Sequence, residues 1–169
     1  IKLEKNLNEQ IDIQFQNYLH YEKTPSYHNL LVEQLIVYVI IKKICKIKIN
    51  KNFLILINNL IVISKNLSHP DKKLAFFNDT NFDSLEHEKL ELLLNKNFKK
   101  IKRQKHINEL SYPLLRNKNI FIITKCCGPN PAFNPGHSHA DSLSFEVSIN
   151  NKRFLINKGI STYEKNELR

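Results

Sequence analysis

The period of the apolar residues changes near residue 110, and no single repeating architecture accommodates both halves. Before that point apolar side chains recur three and four apart, as on one helix face; after it they alternate, as on a strand. The stretch SYHNLLVEQLIVYVIIKKICKIK, Ser26 to about Lys48, places Leu31, Leu35, Tyr38, Val39 and Ile41 on one face. Pro25 stands just ahead of it, where a proline suits a helix start. A second helix is expected from Lys51 to about Leu67, apolar nearly all round and therefore buried. Ser68-His69-Pro70-Asp71 punctuates its end. Phe76 to Asp83, FFNDTNFD, reads as a polar, turn-prone connector. A third helix is expected from Ser84, with that serine as its cap and Glu86 and Glu88 in its first turn.

Past the change, NIFIITKCCG is a short β-branched run ending in glycine, and NPAFNPG must be a loop. LSFEVSI then alternates, with Leu143, Phe145, Val147 and Ile149 on one face and Ser144, Glu146 and Ser148 on the other. Asn150-Asn151 suits a hairpin turn because asparagine tolerates positive φ. RFLIN returns as the partner strand, and Asn157-Lys158-Gly159 closes it. A helical half followed by a β half predicts two domains, or a helical domain joined to a β-sheet domain.

Composition narrows the function classes only slightly. The 169 residues are 41% apolar, enough for a real core, and carry a formal charge of +10. A basic balance favours polyanions such as nucleic acid, acidic lipid or acidic polysaccharide. The basic residues are spread along the chain, however. The one dense run, KKIKRQK from Lys99 to Lys105, reads as a solvated helix end, and no basic-aromatic pattern marks a nucleic-acid site. Cys45, Cys126 and Cys127 form neither a disulfide framework nor a CxxC pair, and Cys45, in an apolar helical stretch, is expected in the core. The apolar runs are broken by Lys42-Lys43 and by Asn58-Asn59, too soon for a membrane span. The chain begins at Ile1 rather than Met and reads as an internal piece of a longer protein.

The stretch GHSHADSLSFEVSI, Gly136 to Ile149, sets His137, His139 and Asp141 at alternate positions just before the alternating strand. In a strand these would share one face. Such a face suits a metal or acid/base site, and it also suits ordinary polar residues at a strand entrance.

Three separated segments carry a resemblance: NYLHYEKTPSYH (Asn17 to His28), HPDKKLAFFNDTNF (His69 to Phe82) and GPNPAFNPGHSHADSLSFEVSINNKRFLINKGISTYE (Gly128 to Glu164). In that order they resemble the heparinase II/III-like family of polysaccharide lyases. The resemblance implies an α+β multidomain fold, with the C-terminal part of an (α/α) toroid over 1–110 and the first strands of an antiparallel β-sandwich over 111–169. It also implies an active site in the cleft between them, β-elimination on a uronic-acid polysaccharide, and a periplasmic or cell-envelope location. The partner so implied is an acidic polysaccharide, with no nucleic acid and no transmembrane segment.

Residue by residue, the resemblance assigns Tyr27 and His137 to catalysis. A phenol titrates near about 10 when unperturbed. While neutral it can protonate the departing glycosidic oxygen; with its pKa lowered by nearby cations it can act as base. His137 matches a histidine that faces the cleft and serves the substrate carboxylate or proton transfer. His20 and Glu22 match an H-x-E that shapes the cleft or holds Tyr27, and Asn17-Tyr18 replaces the family's usual Asp-Gly. Asp141 is expected to orient a histidine. His139 matches a histidine that binds structural zinc in some relatives. Here Asn157 stands where those relatives place an aspartate, and asparagine is a poorer zinc ligand. No cofactor is therefore expected to be required. The alternative to a lyase is a non-catalytic carbohydrate-binding protein of the same fold, serving a surface-polysaccharide pathway.

Overall fold

A computed structural model describes residues 2–99, 101–104, 107 and 109–159. Lys100 and Lys105 of the basic run, and the resembling segment after Gly159, lie outside the described residues. Four helices come first: α1 (Lys2–Gln14), α2 (Pro25–Ile44), α3 (Lys51–Asn66) and α4 (His87–Asn97). A two-stranded hairpin, β1 (Phe15–Gln16) and β2 (Leu19–His20), separates α1 from α2. After α4 come β3 (Leu114–Arg116), β4 (Ile120–Thr124), β5 (Phe145–Ile149) and β6 (Lys152–Leu155), an antiparallel sheet in chain order. No helix among the described residues is long and apolar enough to cross a membrane.

Each helix boundary has a local cause. Pro25 is the first residue of α2, where its missing N–H costs nothing. Asn50 caps α3 by accepting a hydrogen bond from the Asn52 N–H at 2.9 Å. The third helix starts three residues later than Ser84. The Leu85 carbonyl accepts a bond from the Asn29 side chain at 2.8 Å, so this stretch stays extended and Glu86 takes the cap position. The buried stripe of α2 is Val32, Leu35, Ile36 and Val39, whereas Ile41 is exposed. Cys45 is also exposed, at the C-terminal cap of α2, rather than in the core. The described residues of the basic run, Lys99 and 101–104, lie outside any helix: α4 stops at Asn97, and Arg103 pairs with Glu91 at 2.5 Å.

Two apolar clusters organise the interior. The first gathers Ile11, Val32, Ile36, Val39, Ile57, Leu60, Leu90 and Leu94 from the four helices. The second joins Ile63 of α3 and its C-cap Leu67 to Phe77, Tyr112, Phe121 and Ile123, and so ties the helices to the sheet. Both asparagine turns use positive φ. Asn17 and Tyr18 (50° and 65°) close β1 on β2, and Asn150 and Asn151 (50° and 64°) close β5 on β6. Two successive positive-φ residues match the right-handed twist of the flanking strands.

The sheet presents its faces in the opposite sense to simple alternation. In β5 the polar residues Glu146 and Ser148 are buried, and Phe145 and Ile149 are exposed. The reason lies in the segment packed beneath. His69 donates Nε2–H to Glu146 Oε2 at 2.7 Å, and its Nδ1 lies 2.7 Å from Ser148 Oγ. The main-chain N–H groups of Phe76 and Asn157 donate to Glu146 Oε1 at 2.6 and 3.2 Å. A buried carboxylate is tolerated when its lone pairs are met this fully. Serine, histidine and carboxylate here are spaced as in a nucleophilic triad. All three are at most 2% exposed, so no substrate reaches them, and they serve as a tie between helices and sheet.

Candidate functional site

Four segments meet where the helices join the sheet: the turn from Tyr21 to Thr24, the first turn of α2, the connector at 76–83, and the long β4–β5 connection. Asn78 is the centre of the junction. It is buried at positive φ (53°), and its N–H donates to Asp141 Oδ2 at 3.1 Å. Its Nδ2 donates to the Lys23 carbonyl at 3.0 Å, and its Oδ1 accepts from the His139 N–H at 3.2 Å and from Lys125 Nζ. Lys125, fully buried, also pairs with Asp141. Tyr112 donates its hydroxyl to the Lys23 carbonyl at 2.5 Å. One asparagine thereby sets the relative positions of α2 and the histidine-bearing connection.

On this base Tyr27 and His137 stand together. Their rings meet edge to face at 85°, with centroids 5.2 Å apart. His137 donates Nδ1–H to Glu22 Oε2 at 2.7 Å. The imidazole is thus oriented by a carboxylate, with Nε2 left for a ligand. The His137 side chain is 52% exposed, open enough to meet one. The Tyr27 phenol is pushed above its ordinary value, first by burial and then by the Asp79 and Glu22 carboxylates; its hydroxyl hydrogen-bonds to Asp79. No cation lowers it, so the phenol holds its proton. Lys23 and Lys125 are buried and turned toward Glu109 and Asp141.

His137 and His139 do not share a strand face. His137 lies in a turn, His139 follows it outside any regular element, and β5 begins only at Phe145. His139 donates Nε2–H to Asp79 Oδ1 at 2.7 Å. Asp141 orients no histidine directly: its bonds go to Lys125, the Asn78 N–H and Asn157 Nδ2, the last at 3.3 Å. Glu22 contacts His137, and through the field of its charge also Tyr27. His20 is buried and packs edge-on against Phe15 and Tyr21. Sequence reasoning missed Asn78, Asp79 and Lys125. The Asn-Asp pair within a turn-prone connector was the available signal for the first two.

Among the described residues, the side chains around His139 do not converge as a zinc ligand set. His139 Nε2 is occupied by Asp79, and Asn157 is occupied by Asp141, Ser144 and the Gly159 N–H. Among the described residues no three His, Cys, Asp or Glu side chains converge as metal ligands. Cys126 is exposed, and burial pushes the half-buried Cys127 thiol up, away from the thiolate that metals need.

Beneath the site two histidines are held neutral. His28 donates Nε2–H to the Leu60 carbonyl at 2.9 Å, and burial lowers its pKa to about 4. Burial, then the nearby His28 and Lys23 charges, lower His20 to about 3. Both folded values lie below the usual 6.5, so the unfolded chain takes up protons first as pH falls. This contribution to stability is complete above about pH 6.5 and is lost progressively toward pH 4 and 3. Urea midpoints should therefore fall between pH 7 and pH 4.5, and His28→Gln, which keeps an N–H for Leu60, should flatten the slope. An unchanged slope in that variant would show that His28 is not its source.

Comparison with known proteins bears on the fold. Two solved structures of a heparinase III gene product, one with methylated lysines, superpose with TM-scores of 0.72 at 18% and 17% identity. They cover 97% and 96% of this chain, which spans only 29% of theirs. At that identity the likeness is one of fold: mixed helices and antiparallel sheet. No curated protein matches. Residues 100–169, which carry the sheet and both histidines of the site, match the heparinase II/III-like C-terminal family. Over that segment the chain is similar to the heparinase II/III-like family.

Proposed function

We propose that the full-length protein is a polysaccharide lyase that cleaves uronic-acid-containing polysaccharide by β-elimination. The observation that carries this reading is the Tyr27–His137 pair, 5.2 Å between ring centroids, with His137 steered by Glu22 at 2.7 Å. An elimination needs a base at C5 and an acid at the C4 oxygen, close together. His137 Nε2 takes the C5 proton. The C5–H electrons become the C4–C5 double bond, the C4–O bond breaks, and the leaving oxygen takes the Tyr27 proton. The proton on His137 then returns to the adjacent phenolate, and the site is reset. Tyr27 acts as acid rather than base because carboxylates, not cations, surround it.

The same reading extends to the architecture. We take 1–110 as toroid and 111–169 as the start of a β-sandwich, with the site in the cleft between them. Supporting the sandwich is the outer face of the sheet, where Leu115, Ile120, Phe145, Ile149 and Leu155 are exposed. A second sheet packed there would bury them at roughly 25 cal/mol per Å² of apolar area.

The test is a panel of uronate polymers and neutral glycans, read by the ultraviolet absorbance of the unsaturated product. At least one uronate polymer should react. Neutral glycans should not, because they lack the carboxylate that acidifies C5. Silence across the whole panel, with retained binding to one polymer, would favour a carbohydrate-binding role.

A further inference from the structure

We propose that Asp79 is the positioning residue of this site, gathering the Tyr27 hydroxyl and the His139 imidazole onto one carboxylate. The role in catalysis rests on the lyase reading above; the placement does not. Asp79 is pinned from both sides. Its Oδ1 receives His139 Nε2–H at 2.7 Å, and the Tyr27 hydroxyl hydrogen-bonds to it. The Asp79 and His139 side chains are only 11% and 12% exposed, so this is no solvated surface pair. His139 is itself held through its backbone N–H on Asn78 Oδ1, and its Nδ1 is buried without a partner. The imidazole is therefore spent on Asp79, and its one described function is to fix that carboxylate.

The charges around the phenol give this placement a consequence. From the Tyr21–Thr24 turn it is faced by Glu22, from the connector by Asp79, and from the β4–β5 connection by His137. Lys23 and Lys125 lie nearby but are paired with Glu109 and with Asp141. A phenolate at Tyr27 would stand against two carboxylates. Asp79 thus keeps the proton on Tyr27 until a leaving oxygen competes for it, and drives the phenolate back to phenol afterwards.

Asp79→Asn keeps the size and an acceptor oxygen but removes the charge. The experiment follows Tyr27 by NMR of ring-labelled tyrosine in the full-length protein, with Tyr27→Phe identifying the signal. In the wild type Tyr27 should titrate above ordinary tyrosines. In Asp79→Asn its titration should move to lower pH, and the alkaline limb of kcat/KM should move with it. In His139→Gln, where the carboxylate stays charged and an amide N–H can replace the imidazole, Tyr27 should remain high. If the wild-type Tyr27 titrates with ordinary tyrosines, or Asp79→Asn leaves it unmoved, the assignment is overturned. A uniform rate loss with an unshifted limb would likewise overturn it, leaving Asp79 a structural residue. A shifted titration in a protein inactive on every uronate polymer would support the placement and overturn the lyase reading instead.

Discussion

Tyr27→Phe should slow β-elimination by the full-length protein about 10²–10⁴-fold, the usual contribution of a general acid or base. Phenylalanine keeps the ring that meets His137 edge to face and removes only the hydroxyl. Asp79 loses one donor but retains His139 at 2.7 Å, so the local fold survives. The loss should fall on kcat with KM nearly unchanged, because the proton moves only as the C4–O bond breaks. Thermal melting checks that the variant is folded, and product absorbance gives the rate. Full activity in a folded Tyr27→Phe protein would remove Tyr27 from the mechanism and leave the leaving oxygen to another acid.

The placement of this pair could not be read from local sequence. His137 and Glu22 lie 115 residues apart, and His139 and Asp79 lie 60 apart. Spacing alone suggested one strand face for His137, His139 and Asp141, yet the turn through Pro135 and Gly136 sends the three to different partners. Resemblance singled out Tyr27 and His137; it gave no role to Asn78 or Asp79, whose significance appears only once three segments converge on them. Local signals served better where local energetics decide. Pro25 and Asn50 mark helix starts, and both two-residue turns use positive-φ residues. They failed where a distant group overruled them. Asn29 captures the Leu85 carbonyl and delays α4, and the His69 segment draws the polar face of β5 inward.

That inward polar face carries the largest expected effect on stability. Glu146 is fully buried and serves four groups at once: His69, Ser148 through His69, and the N–H groups of Phe76 and Asn157. Arg153 Nη1 stands 3.7 Å from Oε2, the oxygen that also accepts from His69, while Arg153 clamps Asp71 with two bonds at 2.8 and 3.2 Å. Truncation by Glu146→Ala strips a counter-charge from this cluster and leaves several buried donors without water. Breaking a buried pair from one side costs about 3–5 kcal/mol, more than forming it contributes. Ser148→Ala removes only one neutral hydrogen bond and should cost roughly 1 kcal/mol. Urea denaturation should rank them in that order, with Glu146→Gln between them because an amide oxygen can still accept from Phe76. The Glu146→Ala protein should also lose the site, since the β4–β5 connection bearing His137 is held to the helices through this sheet. A cost near or below that of Ser148→Ala would mean that apolar packing of Phe77, Phe121 and Ile123, rather than the buried carboxylate, fixes the sheet on the helices.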